Sequence, residues 1–333
     1  MISRRELLAG FAAAPFLRAQ EQAPGKIVAD VNLVNLFVTV RDKKGELIRN
    51  LNKEDFAIQE DGRPVEIKYF SRESDLPLTL GLLVDTSGSM TSYIDQERLA
   101  SHKFFDQVLR EDKDQAFVIH FDSEVELLRD LTSSKKLLHQ ALEELAPAAS
   151  PQLQRRYPGD PGQPRPHGGT LLFDAVLLAS DDLMKKQKGR KSLILFSDGE
   201  DNGSRTTMTD AIASAQRADT LVYTVFYSHE SYGSPFGGFG GRRMGRRGGY
   251  PMGQRTDGKK VMERLAKETG GGFFEVKNKS LDEIYRQIQD ELRSEYSLAY
   301  TPPDNGPGFR AIDVKTNEKS YIVQSRDGYY SSK

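Results

Sequence analysis

The chain has 333 residues, 37% of them hydrophobic and 29% charged, with a formal net charge of -1. That length holds one large α/β domain and a smaller module around a real core, and the even charge lacks the basic excess of a protein that coats nucleic acid or an anionic membrane. No cysteine is present, which excludes a disulfide framework, a thiolate zinc site and a cysteine nucleophile; the five histidines, His102, His120, His139, His167 and His229, form no HxxxH or HExxH pair, which argues against a zinc enzyme.

The chain opens on Ser3-Arg4-Arg5-Glu6-Leu7-Leu8, an apolar run to Leu17 and Arg18-Ala19-Gln20. A basic start before an apolar core of roughly ten residues fits a secretory signal and is too short to span a bilayer as a mature helix. The Arg-Arg pair followed by Leu-Leu resembles a twin-arginine export signal. Residues 1–20 are therefore read as an export signal directing the protein to the periplasm or beyond, with no stable membrane span after its removal. An uncleaved N-terminal anchor is the alternative.

Residues 26–75 are predicted to be all-β. Alternating segments run from Val31 to Val40, Phe56 to Ile58 and Val65 to Phe70, broken by Asp42-Lys43-Lys44-Gly45 and by Glu60-Asp61-Gly62-Arg63, whose Asp-Gly step favours a tight hairpin. From 76 to 294 the pattern changes to apolar strands alternating with amphipathic helices, the signature of a parallel sheet covered on both faces. Strands are expected at Leu78–Val84, Ala116–Phe121, Ser192–Phe196, Leu221–Phe226 and Phe273–Val276. Helices are expected over about 95–110, 134–145, 171–187, 207–218, 258–269 and 280–294. Residues 295–333 return to strands, at Tyr296–Tyr300, Arg310–Lys315 and Tyr321–Gln324. Neither end has enough strands for a stable sheet alone. The predicted fold is a doubly wound, mostly parallel α/β domain inserted in or flanked by a small all-β sandwich built from both ends. Two stretches read as loops: the Pro- and Gly-rich 146–169 and the Gly- and Arg-rich 228–258. The second has the composition of arginine-glycine RNA-binding segments, but in an exported chain it is read as a surface insertion.

The strongest local feature is Asp85-Thr86-Ser87-Gly88-Ser89-Met90, directly after the apolar strand ending at Val84. Loops after the carboxyl ends of parallel strands form the ligand crevice, and alternate spacing lets Asp85, Ser87 and Ser89 turn one carboxylate and two hydroxyls toward one point. Alone, such a loop also reads as a helix cap. Two more segments supply oxygens at corresponding places: Gly168-Gly169-Thr170 before a helix, and Ser197-Asp198-Gly199 after the strand ending at Phe196. Nearby residues have plainer readings. Asp122 is read as a turn cap, Asp174 as a first-turn carboxylate favoured by the helix dipole, Glu200 and Asp201 as capping or solvated, and His167 as a loop residue.

Together these segments resemble the von Willebrand factor type A family over about 76–294. The family's metal-ion-dependent adhesion site is a DxSxS loop, a distant Thr and a distant Asp, matched here by Asp85, Ser87, Ser89, Thr170 and Asp198. The segments Val40-x-Asp42-x-x-Gly45, Glu60-Asp61-Gly62, Tyr300-Thr301-Pro302 and Gly328-Tyr329-Tyr330 are similar to those of exported bacterial members. The resemblance implies a divalent ion, Mg²⁺ or else Mn²⁺ or Ca²⁺, since all five ligands are hard oxygens. It also implies an open coordination position for an Asp or Glu of a protein partner, hence adhesion rather than catalysis.

Enzyme signatures are missing. Asp85 is not followed by the Thr-Gly or Ser-Gly of an aspartic protease, no Gly-x-Ser-x-Gly elbow precedes a helix, and there is no Walker loop. Two non-enzymatic alternatives stay open: a metal-site subunit docking on an ATPase, as in chelatase-like members of the family, and a structural scaffold with a vestigial site.

Overall fold

The structure, a computed structural model, describes residues 33–72, 76–146, 169–228, 257–277, 279–304 and 306–331. The expected export signal and nearly all of both expected loops lie outside these residues. The compact unit beginning at Leu33 is organised around a six-stranded sheet. Its strands are β5 (Leu78–Asp85), β6 (Gln115–Phe121), β7 (Val125–Thr132), β8 (Arg190–Ser197), β9 (Leu221–Phe226) and β10 (Phe273–Glu275), in the order β10-β9-β8-β5-β6-β7. All neighbours run parallel except β7, which turns back antiparallel on β6.

All eight residues of β5 are buried, as a central parallel strand requires. The two-residue period sends Leu80, Leu82 and Val84 to one core and Leu83 to the other. The first core is closed by α1 (Ile94–Val108), α2 (Lys135–Glu143) and α6 (Leu281–Leu292); the second by α3 (Leu172–Leu178), α4 (Met208–Arg217) and α5 (Gly258–Thr269). Capping residues set the helix starts. Ser134, Thr207 and Ser280 each accept a hydrogen bond from a backbone N–H of the first turn.

Three details depart from the sequence-based expectation. The helix expected over 171–187 is α3 followed by a five-residue π turn, Ala179–Leu183, and a 3₁₀ turn, Met184–Lys186; the wider turn keeps both Ala179 and Ser180 buried. β7 has no counterpart among the expected strands. Its side chains are half-buried to exposed with no clean alternation, and its register against β6 slips twice, so no period marks it. The single return strand expected over Val65–Phe70 is two strands: β3 (Arg63–Val65) and β4 (Ile67–Ser71). β3 pairs with β2 (Phe56–Glu60) through an Asp61-Gly62 turn with both φ positive, at 50° and 76°. β4 crosses to another sheet.

Two four-stranded sheets use both ends of the described chain. With β1 (Val34–Arg41), β11 (Tyr296–Tyr300), β12 (Gly308–Thr316), β13 (Ile322–Gln324) and β14 (Gly328–Ser331), their orders are β13-β1-β11-β4 and β14-β12-β2-β3. They share one core, including Leu36, Val38, Phe56, Ile58, Tyr296, Leu298, Ile312 and Val314, so the chain ends are zipped together around the α/β layers between them. No helix among the described residues is long and apolar enough to cross a membrane.

Candidate functional site

Both β5 and β8 end on a polar step at the same edge of the sheet, because they are parallel neighbours in register from Leu78–Arg190 to Val84–Phe196. The register puts Asp85 beside Ser197. Ser197 Oγ donates to Asp85 Oδ2 at 2.6 Å, and the Ser87 amide donates to Asp85 Oδ1 at 3.0 Å. The Ser87 and Ser89 hydroxyl oxygens lie 3.1 Å apart. Thus Asp85, Ser87 and Ser89 do turn toward one region, with Asp85 fully buried, Ser87 at its margin and Ser89 exposed.

Asp198 is buried at the end of the neighbouring strand. Its Oδ1 accepts the Glu200 amide at 3.1 Å. The turn after it is tight: Gly199 has φ of 75°, and a Cβ there would sit 2.2 Å from the Gly258 carbonyl oxygen. Glycine is required on both counts, and the close approach of α5 fixes the backbone that carries Asp198. Thr170 is buried just before α3. Its carbonyl accepts the Asn202 amide at 3.1 Å, and the next residue, Leu171, donates to the Asp122 carbonyl at 2.9 Å. The Thr170 segment is thereby tied to the loops that follow both β8 and β6.

Burial above all, and to a smaller extent the Asp198 carboxylate, push the Asp85 carboxyl up to about 6, against hydrogen bonds from Ser197 and Ser87. A buried acid supported only by neutral donors and faced by a second acid favours a cation. Among the described residues no three His, Cys, Asp or Glu side chains gather into a set able to hold a metal. The side chains of Asp85, Ser87, Ser89, Thr170 and Asp198 offer oxygen atoms alone, the kind of ligand that suits hard divalent ions.

Neighbouring residues sort by their contacts. Asp122 Oδ1 accepts the Glu124 amide at 3.1 Å and closes the β6–β7 turn. Asp201 Oδ1 accepts the Phe173 amide at 3.2 Å, capping α3 from a distant loop. Asp174 accepts the amides of Arg205 and Thr206 at 3.0 and 2.9 Å, so it pins the 205–206 segment as well as sitting in the first turn of α3. The sequence marks Ser197 only as part of the Ser197-Asp198-Gly199 segment; that it donates the shortest bond to Asp85 is revealed by the register of β5 against β8.

Residues 80–200 match the family of the von Willebrand factor type A domain. Over that stretch the chain is similar to a von Willebrand factor type A domain. The matched span starts within β5 and closes after Ser197-Asp198-Gly199, so it contains Asp85, Ser87, Ser89, Thr170 and Asp198. Among solved structures, the chain is similar to proximal thread matrix protein 1 from the mussel byssus, at 14% identity over 70% of this chain and 51% of that one, with a TM-score of 0.47. It thus spans about half the length of that protein, which has also been solved with a zinc-occupied MIDAS motif. It is similar to a conserved hypothetical protein, BatB, from Bacteroides thetaiotaomicron, at 19% identity over 65% of this chain and 97% of that one, TM-score 0.45. The vWF domain of the type V pili tip protein Mfa5 from Porphyromonas gingivalis aligns at 12% identity over 65% and 96%, TM-score 0.44. No curated protein matches the chain.

Proposed function

We propose that the von Willebrand factor type A-like domain binds one divalent ion, Mg²⁺ first and Mn²⁺ or Ca²⁺ in its place, through Asp85, Ser87, Ser89, Thr170 and Asp198. The ion then captures an Asp or Glu of a protein partner, and the domain performs no catalysis. The observation that carries this reading is the buried Asp85 carboxyl, placed beside Asp198 and held by hydroxyl and amide donors alone. Two carboxylates leave a dication at most neutralised, and three neutral hydroxyls leave it electrophilic toward an incoming carboxylate. The N-terminal sequence supports placing this binding outside the cytoplasm, in the periplasm or beyond. Subgroup membership among exported bacterial relatives belongs to the same proposal.

Mn²⁺ serves as a probe of both halves of the reading. Water-proton relaxation of a Mn²⁺ solution should be enhanced by the protein, because a partly hydrated bound ion exchanges water at its open position. A peptide with accessible Asp residues should lower that enhancement by displacing the water. Enhancement that persists unchanged in Asp85→Ala would overturn the site, and enhancement indifferent to carboxylate ligands would overturn the mode of capture.

A further inference from the structure

Behind the Asp85–Ser89 loop lies a relay of three side chains drawn from three strands or their ends. Thr86 Oγ1 is 3.1 Å from His120 Nδ1, and His120 Nε2 is 3.1 Å from Glu126 Oε2. His120 is on β6 and Glu126 on β7, directly paired across that antiparallel hairpin. Thr86 is fully buried and His120 nearly so, whereas the Glu126 side chain is about one-third exposed. The same Thr86 donates its amide to the Phe121 carbonyl at 2.9 Å. It is therefore held to β6 at two points, one through the main chain and one through the hydroxyl.

We infer that Glu126 and His120 position the ion-binding loop by gripping Thr86, an assignment that rests on the metal-site reading above. Thr86 separates Asp85 from Ser87, so its backbone cannot turn without swinging both. The Thr86 hydroxyl lies against two groups of β6, His120 Nδ1 at 3.1 Å and the Phe121 carbonyl at 3.4 Å, and Glu126 holds the other ring nitrogen of His120. The rotation of the loop is thus fixed from outside it. The β6–β7 hairpin reaches a second site segment as well, since the Asp122 carbonyl in its turn accepts the Leu171 amide next to Thr170. One edge hairpin thus sets the placement of two of the three loops. Outer partners that orient ligands in this way typically change metal affinity by about 10–100-fold when lost. These are positioning residues: none of the three is a proposed ligand.

Thr86→Val keeps the shape of the side chain and removes the hydroxyl; Thr86→Ser keeps the hydroxyl. Two readouts separate positioning from general stability. In metal-free protein, amide hydrogen exchange across 85–90 should rise in Thr86→Val while the strands of the central sheet stay protected. In titrations with Mn²⁺ alone, Thr86→Val should bind about 10–100-fold more weakly, with Thr86→Ser at the wild-type value. Glu126→Ala, at a partly exposed position, should reproduce both effects in weaker form and covers the case in which Thr86→Val fails to fold. Wild-type exchange at 85–90 in both Thr86→Val and Glu126→Ala would overturn the positioning role. Absence of Mn²⁺ binding by the wild-type protein would instead overturn the metal reading, and the exchange experiment would still decide whether the relay holds the loop.

Discussion

The two edges of the central sheet treat buried charge in opposite ways. At the edge where β5 and β8 begin, acids and bases are matched. Arg190 is buried with its guanidinium on the carbonyls of Leu292 and Leu76, attracted by Glu295 and Asp114. Burial opposes ionisation of Asp114, but the Arg110 guanidinium and the amides of Leu78 and Arg110 hold its carboxyl below the ordinary range. At the edge where the same strands end, Asp85 and Asp198 are buried side by side, and the groups acting on Asp85 are neutral donors and Asp198 itself. The first edge sets its buried acids beside guanidinium groups, whereas the second sets Asp85 among neutral donors and a second acid, as the proposed ion site requires.

The comparison is broken most severely at the matched edge. Arg190→Ala leaves Glu295 without its cation. Burial already pushes Glu295 up to about 7 despite Arg190 and the Tyr223 hydroxyl. The loss should be about 3–5 kcal/mol by chemical denaturation, with Mn²⁺ affinity unchanged in the protein that remains folded.

A second large effect is expected at a buried acid on α1. Glu97 on α1 is bonded by Ser101 and Tyr285, and burial pushes it up to about 8. The folded protein therefore keeps a proton that the unfolded chain releases near its ordinary value of 4.5. Stability from this group is complete below that value and is lost as pH rises to about 8. Each pH unit between the two values is worth about 1.4 kcal/mol, so the whole effect is a few kcal/mol. Glu97→Gln should flatten this part of the stability-pH curve, and an unchanged slope between about pH 5 and 8 would refute the assignment.

Smaller effects sharpen the contrast at the acidic edge. Asp85→Asn relieves a buried charge, so the metal-free protein should gain about 1–2 kcal/mol while losing all stabilisation by Mg²⁺ or Mn²⁺; thermal melts with and without ion check both parts. Ser89 is exposed, so Ser89→Ala should move stability by less than about 0.5 kcal/mol. Its effect should appear in ion titration alone, as weaker binding.

The parts that could be read from the sequence are those where one period and one loop coincide. Leu78–Val84 and Ser192–Phe196 are apolar runs bounded by Asp-x-Ser-x-Ser and Ser-Asp-Gly, so strand, edge and oxygen donors announce themselves together. β7 could not be read, because an edge strand with mixed exposure carries no period. The break at Glu66 was hidden by continuous strand-like residues, since the change of sheet between β3 and β4 depends on tertiary pairing. Ser197 on Asp85 and His120 on Thr86 join residues 112 and 34 apart in sequence. Strand order and register create such contacts, and no local spacing records them.

The most direct test of the central claim is calorimetric titration of the folded protein with Mg²⁺ and with Mn²⁺, beside the Asp85→Ala and Asp198→Ala variants. Saturable binding of one ion by the wild-type chain, lost in both variants while their circular dichroism is retained, is the expected result. Ion binding of equal strength in either variant would contradict the account.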